Sequence, residues 1–254
     1  MTGFKKYLLP VLTASLLLTK NLYSQLPVHD DFEAPTLNKI WATDRMVDSS
    51  FTIQHRIVRR GNGAAMITLK SRNVFEAGKN GNKDSERDEL RESNKLISLE
   101  EHVYEYRFSL FLPDSFPVVP VRLVIAQWKQ SCGGNPLCDD DSPVLAIRYR
   151  GGRLFITHQN DTGQATIFST TEEVRNRWLD FIFKVKFTRQ AGGFIQTWLN
   201  DKLIVNYSGI TAYTSKKGYA AKSYFYFKTG LYRDLMEQPM TIYIDEYSKK
   251  EITE

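Results

Sequence analysis

From about Val28 to Ile252 the chain is a succession of short apolar or alternating runs, each broken by Gly, Pro, Asn or Asp. Strands alternate with period two and bury one face, whereas amphipathic helices need a period of about 3.6 held over ten or more residues. That punctuation therefore constrains the chain to an all-β fold of packed sheets. The runs read as strands are Ala64 to Lys70, Val103 to Leu112, Leu123 to Lys129, Val144 to Tyr149, Arg153 to His158, Trp178 to Phe187, Phe194 to Leu199, Lys202 to Tyr207, Tyr224 to Tyr232 and Met240 to Tyr247. Arg150-Gly151-Gly152-Arg153 and Leu199-Asn200-Asp201-Lys202 each join two such runs with hairpin chemistry. Consecutive strands are thus expected to be antiparallel neighbours. The opening Asp30 to Glu33 and the ending Thr241 to Asp245 are expected to pair with each other. One short helix is expected over Thr171 to Arg175, capped by Thr170 or Thr171, with Glu172 and Glu173 in its first turn.

No linker divides this pattern, so residues 25–254 are read as one domain of two antiparallel sheets with a concave face open to a ligand. Residues 1–24 read as an export signal: Lys5 and Lys6 precede the mostly apolar run Tyr7 to Thr19. That run is too short for the roughly 20 residues of a membrane span. A secreted or periplasmic protein, unattached to membrane, is expected. Without Lys5, Lys6 and Lys20 the formal charge falls from +5 to +2. With no dense Lys/Arg tract, nucleic acid is not the expected partner.

Cys132 and Cys138 are the only cysteines, and in an exported chain they are expected to form a local disulfide. Two cysteines without a neighbouring histidine make a poor zinc site. The run Asp139-Asp140-Asp141 offers hard oxygen ligands that suit calcium, but an acidic surface loop is the commoner meaning, and no cofactor is expected.

Three stretches carry chemistry. In Tyr224-Phe225-Tyr226-Phe227-Lys228-Thr229-Gly230-Leu231-Tyr232, alternation puts Tyr224, Tyr226, Lys228 and Tyr232 on one face and Phe225, Phe227 and Leu231 on the other. In Arg87-Asp88-Glu89-Leu90-Arg91 it aligns two guanidiniums about a carboxylate, an arrangement able to receive an anion through the planar arginine fork. In Ile125-Ala126-Gln127-Trp128-Lys129 it projects Gln127 and Lys129 together, although the start of that run is apolar on both faces.

In that order the three stretches resemble the signature strands of the alginate lyases of polysaccharide lyase family 7: Arg-Ser/Thr-Glu-Leu-Arg, Gln-Ile/Val-His and Tyr-Phe-Lys-Ala-Gly-x-Tyr. The flanking Ser109-Leu110-Phe111-Leu112-Pro113-Asp114, Arg150-Gly151-Gly152-Arg153-Leu154 and Trp198-Leu199-Asn200 resemble more closely the heparin lyase I-like and glucuronan lyase group. The resemblance implies a β-jelly roll of the concanavalin A-like type that binds an acidic polysaccharide and cleaves it by β-elimination; a monomer is expected. It implies Tyr232 as the phenol that moves the proton, with Lys228 beside it. Arg91 and Gln127 would neutralise the uronate carboxylate, with Arg87 helping and Glu89 holding the arginines, while Tyr224 and Tyr226 line the sugar site.

Lys129 departs from the pattern, since it stands where the alginate lyases carry His. Lysine has an ordinary pKa of about 10.4 against about 6.5 for histidine and is a poor base near neutrality. Either Tyr232 then serves as both base and acid with Lys129 acting electrostatically, or another histidine supplies the base. His158 leads those candidates, ahead of His55 and His102. A sugar-binding jelly roll without catalysis and a glycoside hydrolase of the same fold are the alternatives. The hydrolase needs paired carboxylates, and Leu90 stands where a laminarinase-like strand carries its second Glu.

Overall fold

The computed structural model describes residues 27–72, 85–135, 138, 142–219 and 223–252. The residues read as an export signal and the acidic run Asp139 to Asp141 lie outside the described residues. Among the described residues sixteen strands follow in chain order. They are β1 (Val28–Asp30), β2 (Trp41–Arg45), β3 (Phe51–Gln54), β4 (Ala64–Leu69), β5 (Ser85–Glu92), β6 (Ser98–Leu99), β7 (Val103–Phe111) and β8 (Leu123–Gln130). The second half comprises β9 (Leu145–Arg150), β10 (Arg153–Asn160), β11 (Gly163–Ser169), β12 (Trp178–Lys186), β13 (Gly193–Leu199), β14 (Lys202–Gly209), β15 (Tyr224–Asp234) and β16 (Met240–Ile252).

They form two antiparallel sheets. One runs β14-β13-β12-β7-β16-β4-β3 with β1 against β16; the other runs β11-β10-β9-β8-β15-β5-β2 with β6 against β15. The architecture is a jelly-roll sandwich: the two packed sheets follow from the alternation, and the jelly roll is the one that the family resemblance implied. Between the sheets lie the inward residues of both, among them Phe108, Trp128, Phe183, Phe225, Phe227 and Leu231. Trp128 packs against Phe183 at 4.5 Å and Phe227 at 4.9 Å between ring centroids, so the strand carrying Gln127 and the strand carrying Tyr232 share one aromatic core.

Both expected hairpins form, with Arg150 opposite Arg153 and Leu199 opposite Lys202. Asn200 and Asp201 take φ of 48° and 64°, the left-handed pair that a two-residue turn of this hand requires. The chain ends also pair, but through Val28–Asp30 against β16 rather than Asp30 to Glu33. Two residues past the end of β1, Phe32 takes φ 55° and sends its ring into the core.

The expected helix over Thr171 to Arg175 does not form. The Glu173 carboxylate accepts the backbone N–H groups of Val174 and Arg175 and the Arg175 side chain, so the local bonds a helix would need go elsewhere. Thr170 is tied to Leu154 through its backbone N–H and hydroxyl oxygen, and Val174 is buried. β11, with exposed Gly163 to Thr166, has little apolar alternation by which it could be read from sequence.

Candidate functional site

The outer face of the second sheet gathers the residues singled out above. β15 lies between β5 and β8, and its ladder with β5 runs without a break from Lys228 opposite Arg91 to Tyr232 opposite Arg87. The alternation of β15 therefore holds throughout: Phe225, Phe227 and Leu231 enter the core, and Tyr224, Tyr226, Lys228 and Tyr232 face outward. On the other side both ladders of β8 slip by one residue around Ile125. That slip explains why the start of β8 is apolar on both faces. Val124 faces outward between Tyr232 and Arg148, Ala126 and Trp128 face the core, and Gln127 and Lys129 face outward again.

The middle of this face is a buried polar floor. Lys228 sits opposite both Arg91 and Gln127, and Glu89, Gln127 and Lys228 are only 1%, 2% and 4% exposed. The Gln127 amide donates to Glu89 Oε1. Glu89 Oε2 has no hydrogen-bond partner among the described residues and lies 3.8 Å from Arg87 Nη1 and 3.9 Å from Lys228 Nζ. Glu89 thus holds Arg87 and Lys228 electrostatically while its other oxygen orients Gln127. Opposite Glu89, Gly230 has φ 147°, and a Cβ there would stand 2.3 Å from the Asp88 carbonyl oxygen. Only glycine permits β5 to approach so closely.

Tyr232 stands at one side of the floor. Its ring lies between two guanidiniums, Arg87 at 3.9 Å and Arg122 at 4.6 Å from the ring centroid. Burial raises the phenol's pKa, but the charges of Arg87 and Arg122 and hydrogen bonds with Ser85 and Arg122 outweigh it, leaving the pKa below its usual value. Arg122 is fixed in turn by Asp234, which accepts from its Nε at 2.8 Å and lies 2.7 Å from its Nη2. The sequence reading missed Arg122. The signal was the broken alternation of β8: past the slip, Arg122 and Val124 belong to the outer face, which counting from Gln127 alone does not reveal.

Lys228 is not beside Tyr232, as expected, but four residues away along β15 and turned toward Glu89. Strand rise of about 3.3 Å per residue puts their backbones roughly 13 Å apart, so the cations acting on the phenol are arginines. The opposite side of the floor carries Arg91, Tyr224, Tyr226 and Lys129. Arg91 donates to Asn94 at 2.7 Å and lies over the Tyr226 ring, and Lys129 is the cross-strand neighbour of Tyr226. Two clefts flank the floor. One of about 370 Å³ is lined by Arg122, Arg148 and Phe155, the other of about 190 Å³ by Arg91, Tyr224 and Tyr226.

None of the chain's four histidines lies on this face. His158 pairs with inward Leu145, and its ring nitrogens meet the carbonyls of Val144 at 2.9 Å and Ile210 at 3.0 Å. It pins the two sheets together at their edge, and burial lowers its pKa. His55 contacts the Asn62 carbonyl, His102 pairs with Glu251 at 2.6 Å, and His29 sits on β1 of the other sheet. The alternative in which another histidine supplies the base is not met by these positions. Cys132 and Cys138 do form a disulfide, in the loop that follows β8.

A jelly roll with a polar floor, flanking tyrosines and a phenol clasped by guanidiniums has the build of a carbohydrate-active enzyme. Residues 32–248 match the polysaccharide lyase family, and the chain belongs to it. No curated protein matches it in sequence. Among solved structures it is similar to an endo-β-1,4-glucuronan lyase from the fungus Trichoderma reesei, with TM-score 0.63, 16% identity and coverage of 85% of this chain and 96% of that one. It is also similar to alginate lyase AlgAT5 of polysaccharide lyase family 7, with TM-score 0.52, 16% identity and coverage of 82% and 85%. The cellulose-induced protein Cip1 shares the fold as well, with TM-score 0.56, 12% identity and coverage of 87% and 96%. At these identities the likeness is one of fold.

Proposed function

We propose that this polysaccharide lyase is an exported enzyme that cleaves a uronic acid polymer, glucuronan-like or alginate-like, by β-elimination. The observation that carries the reading is the Tyr232 phenol between Arg87 and Arg122. A phenol ordinarily ionises near pH 10, and these two cations favour the phenolate that can take the C5 proton of a uronate. The electron pair of that C–H bond forms the C4–C5 double bond, the C4–O4 bond breaks, and the departing O4 takes the proton back from Tyr232.

Charge flows into the substrate carboxylate as the C5 proton leaves. Gln127 gives one N–H to Glu89, and its second N–H remains to receive that charge, with Arg87 beside Glu89 and Arg91 in the same cross-strand row as Gln127 adding guanidiniums. With no histidine on this face, one residue both takes and returns the proton. Lys129 acts through its charge from the Tyr226 side, and Tyr224 and Tyr226 offer ring faces to flanking sugars. The elimination so written asks for no metal or cofactor.

The reading has a stereochemical corollary. A single phenol serves C5–H and O4 only if both lie on one face of the sugar. That holds for glucuronate and mannuronate, whose C4 and C5 configurations agree, and fails for guluronate and galacturonate. Ultraviolet absorbance of the unsaturated ends, followed across a panel of polyuronates, tests the proposal. Affinity without unsaturated product would favour a binding module instead, and saturated products would favour a hydrolase.

A further inference from the structure

Arg148 is a half-buried arginine two strands from Tyr232. Arg59, Arg87, Arg107, Arg122, Arg189 and Arg233 each have a carboxylate within ion-pair distance. Arg148 has none among the described residues; its Nε donates to the Thr157 hydroxyl at 3.0 Å. The guanidinium is half-buried on the outer face of β9, and burial together with the charge of Arg122 disfavours its cationic form. A desolvated cation repelled by its neighbour is a site in want of an anion.

Its position says which anion. Arg148 is opposite Val124, which is opposite Tyr232, so Arg148 lies two strands from the phenol, about 10 Å at a strand spacing of about 4.8 Å. The next strand places Phe155 opposite Arg148 and Thr157 opposite Ala146, and β11 adds Thr166 opposite Thr157. Together these line the cleft of about 370 Å³ beside Tyr232. It offers a ring face for a sugar, hydroxyls for its oxygens and a guanidinium for its charge.

We propose that this cleft is a subsite in which Arg148 binds the carboxylate of the uronate adjoining the one at Tyr232. The assignment rests on the elimination reading above. It makes the enzyme one that requires charge on neighbouring sugars, not only on the one that reacts. Arg148→Gln is expected to raise KM for oligoglucuronate or oligomannuronate roughly ten- to hundredfold, the worth of a charge-assisted bond, with kcat little changed. Arg148→Lys, which keeps the charge but not the fork, should recover part of the loss, and equal thermal melting of the variants excludes misfolding. On a polymer whose carboxyls are partly reduced to alcohols, the penalty of Arg148→Gln should shrink.

Unchanged KM, or an undiminished penalty on the reduced polymer, overturns the proposal. Calorimetric titration of the same oligouronates separates the two readings. Binding that depends on Arg148 without unsaturated product sinks the elimination and keeps the subsite. Cleavage indifferent to Arg148 does the reverse, and neither binding nor cleavage across the panel sinks both.

Discussion

The guanidinium carbon of Arg87 lies 3.9 Å from the ring centroid of Tyr232, on strands whose ladder places the two residues directly opposite each other. Register thus fixes the phenol and its cation together, without a mobile loop. If Tyr232 moves the proton, Tyr232→Phe should lower kcat about a hundred- to ten-thousandfold while leaving oligouronate affinity near wild type. A variant that still produces unsaturated ends at the wild-type rate would remove Tyr232 from the chemistry.

The second cation makes a pH prediction with a definite sign. Arg122 lowers the Tyr232 pKa, so Arg122→Gln should raise it and move the acidic limb of kcat/KM to higher pH. Asp234 neutralises part of the Arg122 charge, so Asp234→Asn should move the same limb to lower pH. Opposite shifts in the two profiles are expected; a limb fixed in both variants would mean that a different group titrates.

One phenol working on one face of the sugar predicts selectivity between blocks of the same polymer. Mannuronate-rich alginate and glucuronan should yield unsaturated ends, and guluronate blocks should resist. Lys129→His restores the residue that the alginate lyases carry at this place and is the natural variant to test on guluronate blocks. Efficient cleavage of guluronate blocks by the wild type would show that a second proton-transfer group exists.

Much of this site was legible because β15 obeys strict alternation. Phe225, Phe227 and Leu231 are apolar where Tyr224, Tyr226 and Tyr232 are polar, so the two faces can be separated by counting. What counting missed lies at irregularities. The slip at Ile125 hid Arg122 and Arg148, since neither can be placed relative to Gln127 without knowing that both ladders shift. Lys228 was placed beside Tyr232 by nearness in sequence, but four strand residues are a long way in space, whereas the antiparallel partner Arg87 is close despite its distance along the chain. The helix at Thr171 to Arg175 failed because side-chain bonds from Glu173 outcompeted it, which propensity does not capture.

Asp245 carries a stability prediction on the other sheet. It is fully buried, and burial pushes its pKa up to about 6 despite accepting the backbone N–H groups of Arg59, Arg60 and Glu246. A carboxyl whose folded pKa is raised stabilises the fold below its unfolded value and loses that contribution as pH rises through the folded one. From about pH 4 to about pH 6 the wild type should lose roughly 2 kcal/mol relative to Asp245→Asn. Chemical denaturation of both across that window measures it; parallel curves would show that Asp245 does not titrate there.

A final relationship lies beneath the site. Glu92, on β5, is fully buried and accepts the Tyr247 hydroxyl, the Phe227 backbone N–H at 3.0 Å and Lys249 Nζ at 3.3 Å. Tyr247 and Lys249 belong to β16 of the opposing sheet, so this network bolts the sheets together under β15, and Lys249 also donates to the Leu96 carbonyl. Burial disfavours both charges, raising the Glu92 pKa and lowering that of Lys249. Removing one partner strands the other, so Lys249→Met should destabilise by about 3–5 kcal/mol. Replacing both, as in Glu92→Gln with Lys249→Met, leaves no buried charge and should be less destabilising than the sum of the single changes. Strict additivity in denaturant unfolding would mean the pair is not coupled. Because Phe227 precedes Lys228, the single variant should also loosen the floor of the site, read as a higher KM for oligouronate while the Tyr232 pH profile stays in place.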